Sequence, residues 1–259
     1  MLNPRLEKFM QQQKYWYACN RVVLLLLFTT IFFTQSSWAG VHANTSRIVF
    51  DTDKKQSSIT LRNSNAYPVM VQLWIDDGHP DNRPDTVLDT PLIALPPLLK
   101  LNPEETRSVL LVNVAGRLTS KVEELFWFNI YEIPPKPDED RYANMGPLML
   151  LTMRTQYKVF LRNSKLMEVV DSAASRQEFK LVGNTLEIYN NSPFYMTFQE
   201  VRIEVDGSDE RLYPGMISPF TREAVELSSK IDSTLLYKVS FDYIDDNGNS
   251  LRFDGVSVN

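Results

Sequence analysis

The sequence predicts an all-β protein made of two sandwiches. Short runs rich in β-branched, aromatic and aliphatic residues recur along most of the chain. Clusters of turn residues separate them, and no long stretch carries a helical period. The strand pattern also restarts about midway, so the roughly 220 residues beyond a leader divide into two domains of ordinary size.

In the first half, strands are read at 46–50 (SRIVF), 58–61 (SITL), 69–75 (VMVQLWI), 108–112 (SVLLV) and 125–133 (LFWFNIYEI), with turns at 63–65 (NSN) and 76–80 (DDGHP). A further strand follows the polar loop 136–147 and carries the apolar run 148–153 (LMLLTM). In the second half, 179–182 and 185–189 flank Gly183-Asn184, a tight hairpin turn. Strands at 194–205, 235–243 and from Leu251 onward follow. The segments LRNSNAYPVMVQLWI and EIYNNSPFYMTFQEV echo each other, each with an Asn-rich turn and a Pro between strands. The expected boundaries are a first domain at 40–162, a linker at 163–172 and a second domain at 173–259.

The start of the chain reads as a secretory signal peptide over 1–39. Arg5, Lys8, Lys14 and Arg21 form a basic n-region, 22–33 (VVLLLLFTTIFF) is an apolar segment, and Ser37 and Ala39 put small residues at a cleavage site before Gly40. The apolar segment is too short for a membrane span, so no stable membrane insertion is expected. The single cysteine, Cys19, lies within the leader, which leaves the exported chain without disulfides, zinc thiolates or a cysteine nucleophile. Loss of the leader takes the net charge from −5 to −8. An acidic domain of this kind is not a general nucleic-acid binder.

Little in the sequence points to an enzyme. The two histidines, His42 near the new amino terminus and His79 in a turn, do not make a triad or a metal site. The acidic runs at 76–77 and 138–140 lie in loops, and no glycine-rich phosphate loop is present. No cofactor and no metal are expected. What stands out is the apolar run 148–153 ahead of a lone cation, Lys158. A soluble protein rarely leaves such a run at a sheet edge, because unpaired backbone beside apolar side chains recruits another chain. Either the strand is covered on both faces or recruitment is its task.

Several segments resemble the periplasmic chaperones of the chaperone–usher pilus pathway. They are 45–50 (TSRIVF), 71–75 (VQLWI), 93–97 (IALPP) with 101–103 (LNP), 123–135 (EELFWFNIYEIPP), 157–162 (YKVFLR) and 216–219 (MISP). The block ending FNIYEIPP is the most specific. Departures are Asn163 in place of a proline, Glu124 in place of a small hydroxyl or basic residue, and the missing second-domain disulfide of some members. The loop 136–147 is longer than in the shortest-loop members, yet lacks the paired cysteines of many long-loop ones.

The resemblance implies two immunoglobulin-like sandwiches in an L or boomerang arrangement, working in the periplasm. Its partners would be pilus subunits and an outer-membrane usher. Arg47 and Lys158 match the cations that anchor a subunit's terminal carboxylate, and charge-assisted hydrogen bonds suit that role. Met149, Leu151 and Met153 would enter the groove of an incomplete subunit by donor-strand complementation, while Leu148 and Leu150, of the other parity, would serve the chaperone's own core. Glu123, Arg162 and Asp246 match an ion network between the domains. The second reading is a pilus structural subunit or two-domain adhesin, against which the short mature start GVHANT, leading straight into the Arg47 strand, offers no donor extension. A third, a secreted hydrolase on a β-sandwich, lacks a credible site.

Overall fold

Period-two alternation builds both halves of the molecule. The computed structural model describes residues 21, 40–84, 90–116, 120–136, 151–205, 208–228 and 236–258. The first sandwich contains β1 (Val41–Ala43), β2 (Arg47–Asp51), β3 (Gln56–Asn63), β4 (Val69–Asp76), β5 (Leu92–Leu95), β6 (Leu98–Leu101), β7 (Thr106–Asn113), β8 (Glu124–Ile133) and β9 (Met153–Arg162). One sheet has the order β1-β3-β7-β5, the other β2-β9-β8-β4-β6. On β4, Val69, Val71, Leu73 and Ile75 point inward to meet Ile59 and Leu61 of β3, Val109 and Leu111 of β7, and Phe128 and Ile130 of β8. Each such side chain contributes about 1.5–3 kcal/mol on full burial.

The start of the domain differs from the sequence reading. The chain does not run straight into the Arg47 strand. Val41–Ala43 first pairs antiparallel with Leu61–Asn63 in the opposite sheet, and the chain then crosses to β2. Three residues are too few to stand out as a run, although Val41 and Ala43 are buried with His42 between them turned outward.

The second sandwich contains β10 (Gln177–Val182), β11 (Thr185–Asn190), β12 (Met196–Val205), β13 (Ser208–Leu212), β14 (Gly215–Ile217), β15 (Arg222–Glu226), β16 (Tyr237–Ile244) and β17 (Ser250–Val258). A sheet β10-β11-β15 packs on a sheet β13-β12-β16-β17, with β14 added beside β12. Its core is separate, formed by Leu186, Ile188, Val201, Ile203, Val239 and Phe241, with Phe198, Phe241 and Phe253 in ring contact. Gly183 has φ +60, which the two-residue hairpin between β10 and β11 requires.

The internal echo of the sequence has a structural meaning. Asn63 and Asn190, both at 0% exposure, each end a strand and pin the turn that follows. The Asn63 amide donates to the carbonyls of Tyr67, Leu101 and Asn102. The Asn190 amide donates in the same way to Phe194, Ile217 and Ser218. Buried backbone carbonyls in two loops are thereby satisfied by one side chain in each domain.

Asn163 caps the short helix α1 (Ser164–Met167) by accepting the Leu166 N–H at 3.0 Å, and its own amide donates to the Ser120 carbonyl at 2.7 Å. Leu166 is buried in the second core. Short 3-10 turns at Val170–Ser172 and Ala174–Arg176 complete the connection. No helix among the described residues is long and apolar enough to cross a membrane.

Candidate functional site

Strand β9 is covered unevenly. Along one side it pairs antiparallel with β8 from Glu132↔Met153 to Glu124↔Leu161. Along the other side β2 runs parallel to it and covers only Lys158 to Arg162. The half Met153–Tyr157 has no strand on that side among the described residues. Leu151, just ahead of it, is 72% exposed and Met153 is 53% exposed. Met149, Leu148 and Leu150 lie outside the described residues, as do 1–20 and 22–39 of the leader.

The described residues of β9 show which of its faces turns inward. Tyr157, Val159 and Leu161, of the same parity as Leu151 and Met153, point into the first core. The even-numbered Arg154, Gln156, Lys158 and Phe160 stand on the outer face of the sheet. β1 reaches the inward-facing row where the Ala43 N–H donates to the Tyr157 hydroxyl at 3.0 Å.

Arg47 and Lys158 are direct Cα partners at the first residue of β2, where the open edge begins. The Lys158 ammonium sits 5.8 Å from the centre of the Trp127 ring and forms no ion pair among the described residues. Burial, and then the charge of Arg47, hold its pKa below the ordinary lysine value. The Arg47 guanidinium donates from Nη1 to the Ile244 carbonyl at 3.0 Å, while its buried Nε has no hydrogen-bond partner. Burial lowers its pKa as well, against the opposing charges of Asp246 and Asp245. The turn 245–249 that carries these acids packs directly on the start of β2. A Cβ on Gly248 (φ +85) would lie 2.1 Å from Ser46 Oγ. Arg47, Phe160, Tyr195, Tyr243 and Asp246 line a cleft of about 220 Å³ there.

Arg162, four residues beyond Lys158 on the same face, is in the opposite condition. It is 4% exposed and lies between two acids. Its Nε donates to Glu123 Oε1, and Nη1 and Nη2 donate to the two oxygens of Asp246, at 2.5 and 2.8 Å. Glu123 also ties the halves of the chain together, because its Oε2 accepts the Tyr195 N–H at 2.7 Å and its N–H donates to the Pro193 carbonyl at 2.8 Å. Burial alone would lower the Arg162 pKa, but the hydrogen bonds and charges of Asp246 and Glu123 outweigh it and hold the guanidinium charged. Burial pushes the Glu123 carboxyl up despite Arg162. The structure therefore brings Glu123, Arg162 and Asp246 together, and sets Arg47 and Lys158 side by side.

Sequence reasoning missed Trp127, Tyr195 and the Ile244 carbonyl. Trp127 could have been found by counting register, since it is the Cα partner of Lys158 across β8 and β9. Tyr195 and Ile244 come from the second domain, and no local pattern announces them.

Two family models match the chain. The model for the pili and flagellar-assembly chaperone, PapD N-terminal domain, covers residues 40–167, and that for the pili assembly chaperone PapD, C-terminal domain, covers residues 172–254. The probable fimbrial chaperone YadV of Escherichia coli K12 is 28% identical over 242 residues, 92% of this chain and 98% of that one. The crystal structure of the Pseudomonas aeruginosa CupB2 chaperone matches with a TM-score of 0.66 at 26% identity, over 83% of this chain and 99% of that one. A chain from the Salmonella enterica complex of the SafA pilin with the SafB chaperone shares the fold, with a TM-score of 0.64 at 19% identity over 85% and 98% of the two chains.

Proposed function

The chain belongs to the PapD-type family of pilus-assembly chaperones, and we propose that it holds pilus subunits through the uncovered half of β9. It is a fimbrial assembly chaperone built on two immunoglobulin-like sandwiches. In the proposed complex the subunit's last strand runs parallel to β9 alongside Met153–Tyr157, and its terminal carboxylate meets Arg47 and Lys158. Met149, Leu151 and Met153 enter the subunit's groove, where each fully buried side chain adds about 1.5–3 kcal/mol. Methionines suit grooves of differing shape.

One observation carries this reading. Among the described residues, the bonded edge of β9 stops at the pair that presents two cations, one without a carboxylate partner and the other with an unpartnered buried Nε. A strand that continued the line of β2 backwards along β9 would place its carboxyl end there. Charge-assisted hydrogen bonds would then satisfy groups that the free protein leaves waiting. The ion network of Glu123, Arg162 and Asp246 would fix how the second domain is presented to the subunit, a specificity role more than a stabilising one.

We place this work in the periplasm, with a first domain at 40–162, a linker at 163–172 and a second domain at 173–259, and with delivery of the subunit to an outer-membrane usher. Release follows by exchange, as an incoming subunit's extension packs better than the chaperone strand, with no nucleotide. Matches to chaperone models over both halves favour this function over that of a structural subunit or adhesin. Periplasmic pull-down with a subunit tests the anchor. Arg47→Ala and Lys158→Ala should each abolish capture with an unchanged circular dichroism spectrum, and normal subunit yield with both variants would remove the assignment.

A further inference from the structure

A second carboxylate lies deep in the first domain without a cation. Glu132, on β8 opposite Met153, is 6% exposed. Its Oε1 accepts the Val41 N–H at 2.7 Å and its Oε2 accepts the Asn65 amide at 3.2 Å. Neither donor is charged, and no lysine, arginine or histidine among the described residues forms an ion pair with it. A buried carboxylate held only by neutral groups is costly. The corresponding network of the second domain avoids that cost. There Asn190 Oδ1 accepts from Ser192 and from the amide of Gln177, which is neutral. The two domains use the same asparagine in the same way, yet only the first ends its network on an acid.

Gly40 precedes Val41 and lies against the same acid. It is buried, its N–H donates to Asn65 Oδ1 at 3.0 Å, and its carbonyl accepts the Ser64 N–H at 2.9 Å. A methyl group on its Cα would lie 3.2 Å from Glu132 Oε1. With φ at +110 and the carboxylate against the Cα, a side chain at this position would be both strained and crowded. Gly40 is also the first residue of the family-matched region and the residue that follows the expected cleavage site.

We propose that cleavage of the leader supplies the missing cation. The α-ammonium created at Gly40 keeps its hydrogen bond to Asn65 and pairs with Glu132, so that export processing completes the first sandwich beside the open half of β9. Before cleavage the same nitrogen is a neutral amide, and no cation among the described residues pairs with Glu132. Peptide hydrolysis between Ala39 and Gly40 consumes one water and releases the new amine, which is protonated at neutral pH because an ordinary α-amino group titrates at about 7.7–8.0. The ion pair fastens β1 against β8, with Val41 and Ala43 beneath the strand that faces the subunit. The proposal rests on the leader reading, and the first step of its test separates the two.

The intact mass of the protein purified from the periplasm should place its first residue at Gly40. Any other terminus overturns both the cleavage reading and the proposal. Four proteins are then compared by thermal unfolding, namely the chain starting at Gly40 and the chain retaining Ala39, each with and without Glu132→Gln. Retaining Ala39 moves the charge out of the pocket and should lower Tm by at least about 2–4 °C, the shift that a modest loss produces in a domain pair of this size. In the Glu132→Gln background the same extension should have less than half of that effect. Equal losses in both backgrounds overturn the proposal while leaving the cleavage reading intact. Should Glu132→Gln fail to fold, acylation of the natural chain decides. The Gly40 amine should react at least about tenfold more slowly in the folded protein than in denaturant, the factor that one decade of ionisation represents. Equal rates would overturn the pairing.

Discussion

The two halves of β9 share one strand and one outer face yet differ in almost everything else. From Lys158 to Leu161 the strand is bonded on both sides, and Arg162 ends it with two acids around its guanidinium. Among the described residues, the stretch from Met153 to Tyr157 is bonded on one side, its inward row includes an exposed methionine, and the cation at its limit pairs with no acid. Burial with full pairing marks a residue that serves the protein's own structure. A cation without a countercharge at the end of an unpaired, apolar edge marks a place for a partner that brings backbone, apolar surface and negative charge together.

The largest effect expected from breaking this contrast is on the closed half. Arg162→Ala leaves Glu123, at 2% exposure, without its cation and should destabilise the protein by about 3–5 kcal/mol in urea unfolding. Lys158→Ala should not destabilise the free protein, because burial and Arg47 already disfavour its charge. A comparable loss in both variants would erase the distinction between the halves.

Next in size is Leu151→Glu. At 72% exposure the site is open to water, so the melting temperature of the free protein should move little. Affinity for a subunit should fall by at least about 1.5–3 kcal/mol, the apolar burial forgone, before the added charge is counted. Strong destabilisation of the isolated protein would mean that the strand is covered after all. Asp246→Ala acts more mildly, since Glu123 still holds Arg162 and Asp246 is partly exposed. Each sandwich keeps its own core, so small-angle scattering should report a looser angle between intact domains. A profile and melting temperature identical to the parent's would make Asp246 an ordinary turn residue.

The smallest effect is a pH dependence with two opposite signs. Lys158 has a depressed pKa in the folded protein, so below that value folding bears the cost of a buried charge, and the cost is relieved as pH rises through it. Capture of a carboxylate needs the charged form. Subunit affinity should therefore fall over the same alkaline interval in which the free protein gains stability, and Lys158→Arg should move that fall to higher pH. Parallel titrations of affinity and melting temperature check the crossing of the two trends.

Much of this was legible in the sequence. Alternation in VMVQLWI and LFWFNIYEI defines inward and outward rows, and Arg47 and Lys158 interrupt such rows with a charge. Which face of β9 the core takes was not readable from the run 148–153, because Thr152 is its one polar member. Asn63 and Asn190 read only as turn residues, since asparagine favours turns everywhere and several of their carbonyl partners lie some 27 to 39 residues away. Strand β1 was hidden by its brevity. Tyr195 and Ile244 reach the site only through the packing of the second domain on the first, which no local pattern encodes.

The central claim, that β9 is half closed and half available, is tested most directly by amide hydrogen exchange along this one strand, free and bound to a subunit. The claim predicts that the amides of β9 that face away from β8 between Met153 and Tyr157 exchange quickly in the free protein and become protected on binding, while those from Lys158 to Arg162 stay protected throughout. Uniform protection of the whole strand in the free protein, or no change in Met153–Tyr157 on binding, would contradict it.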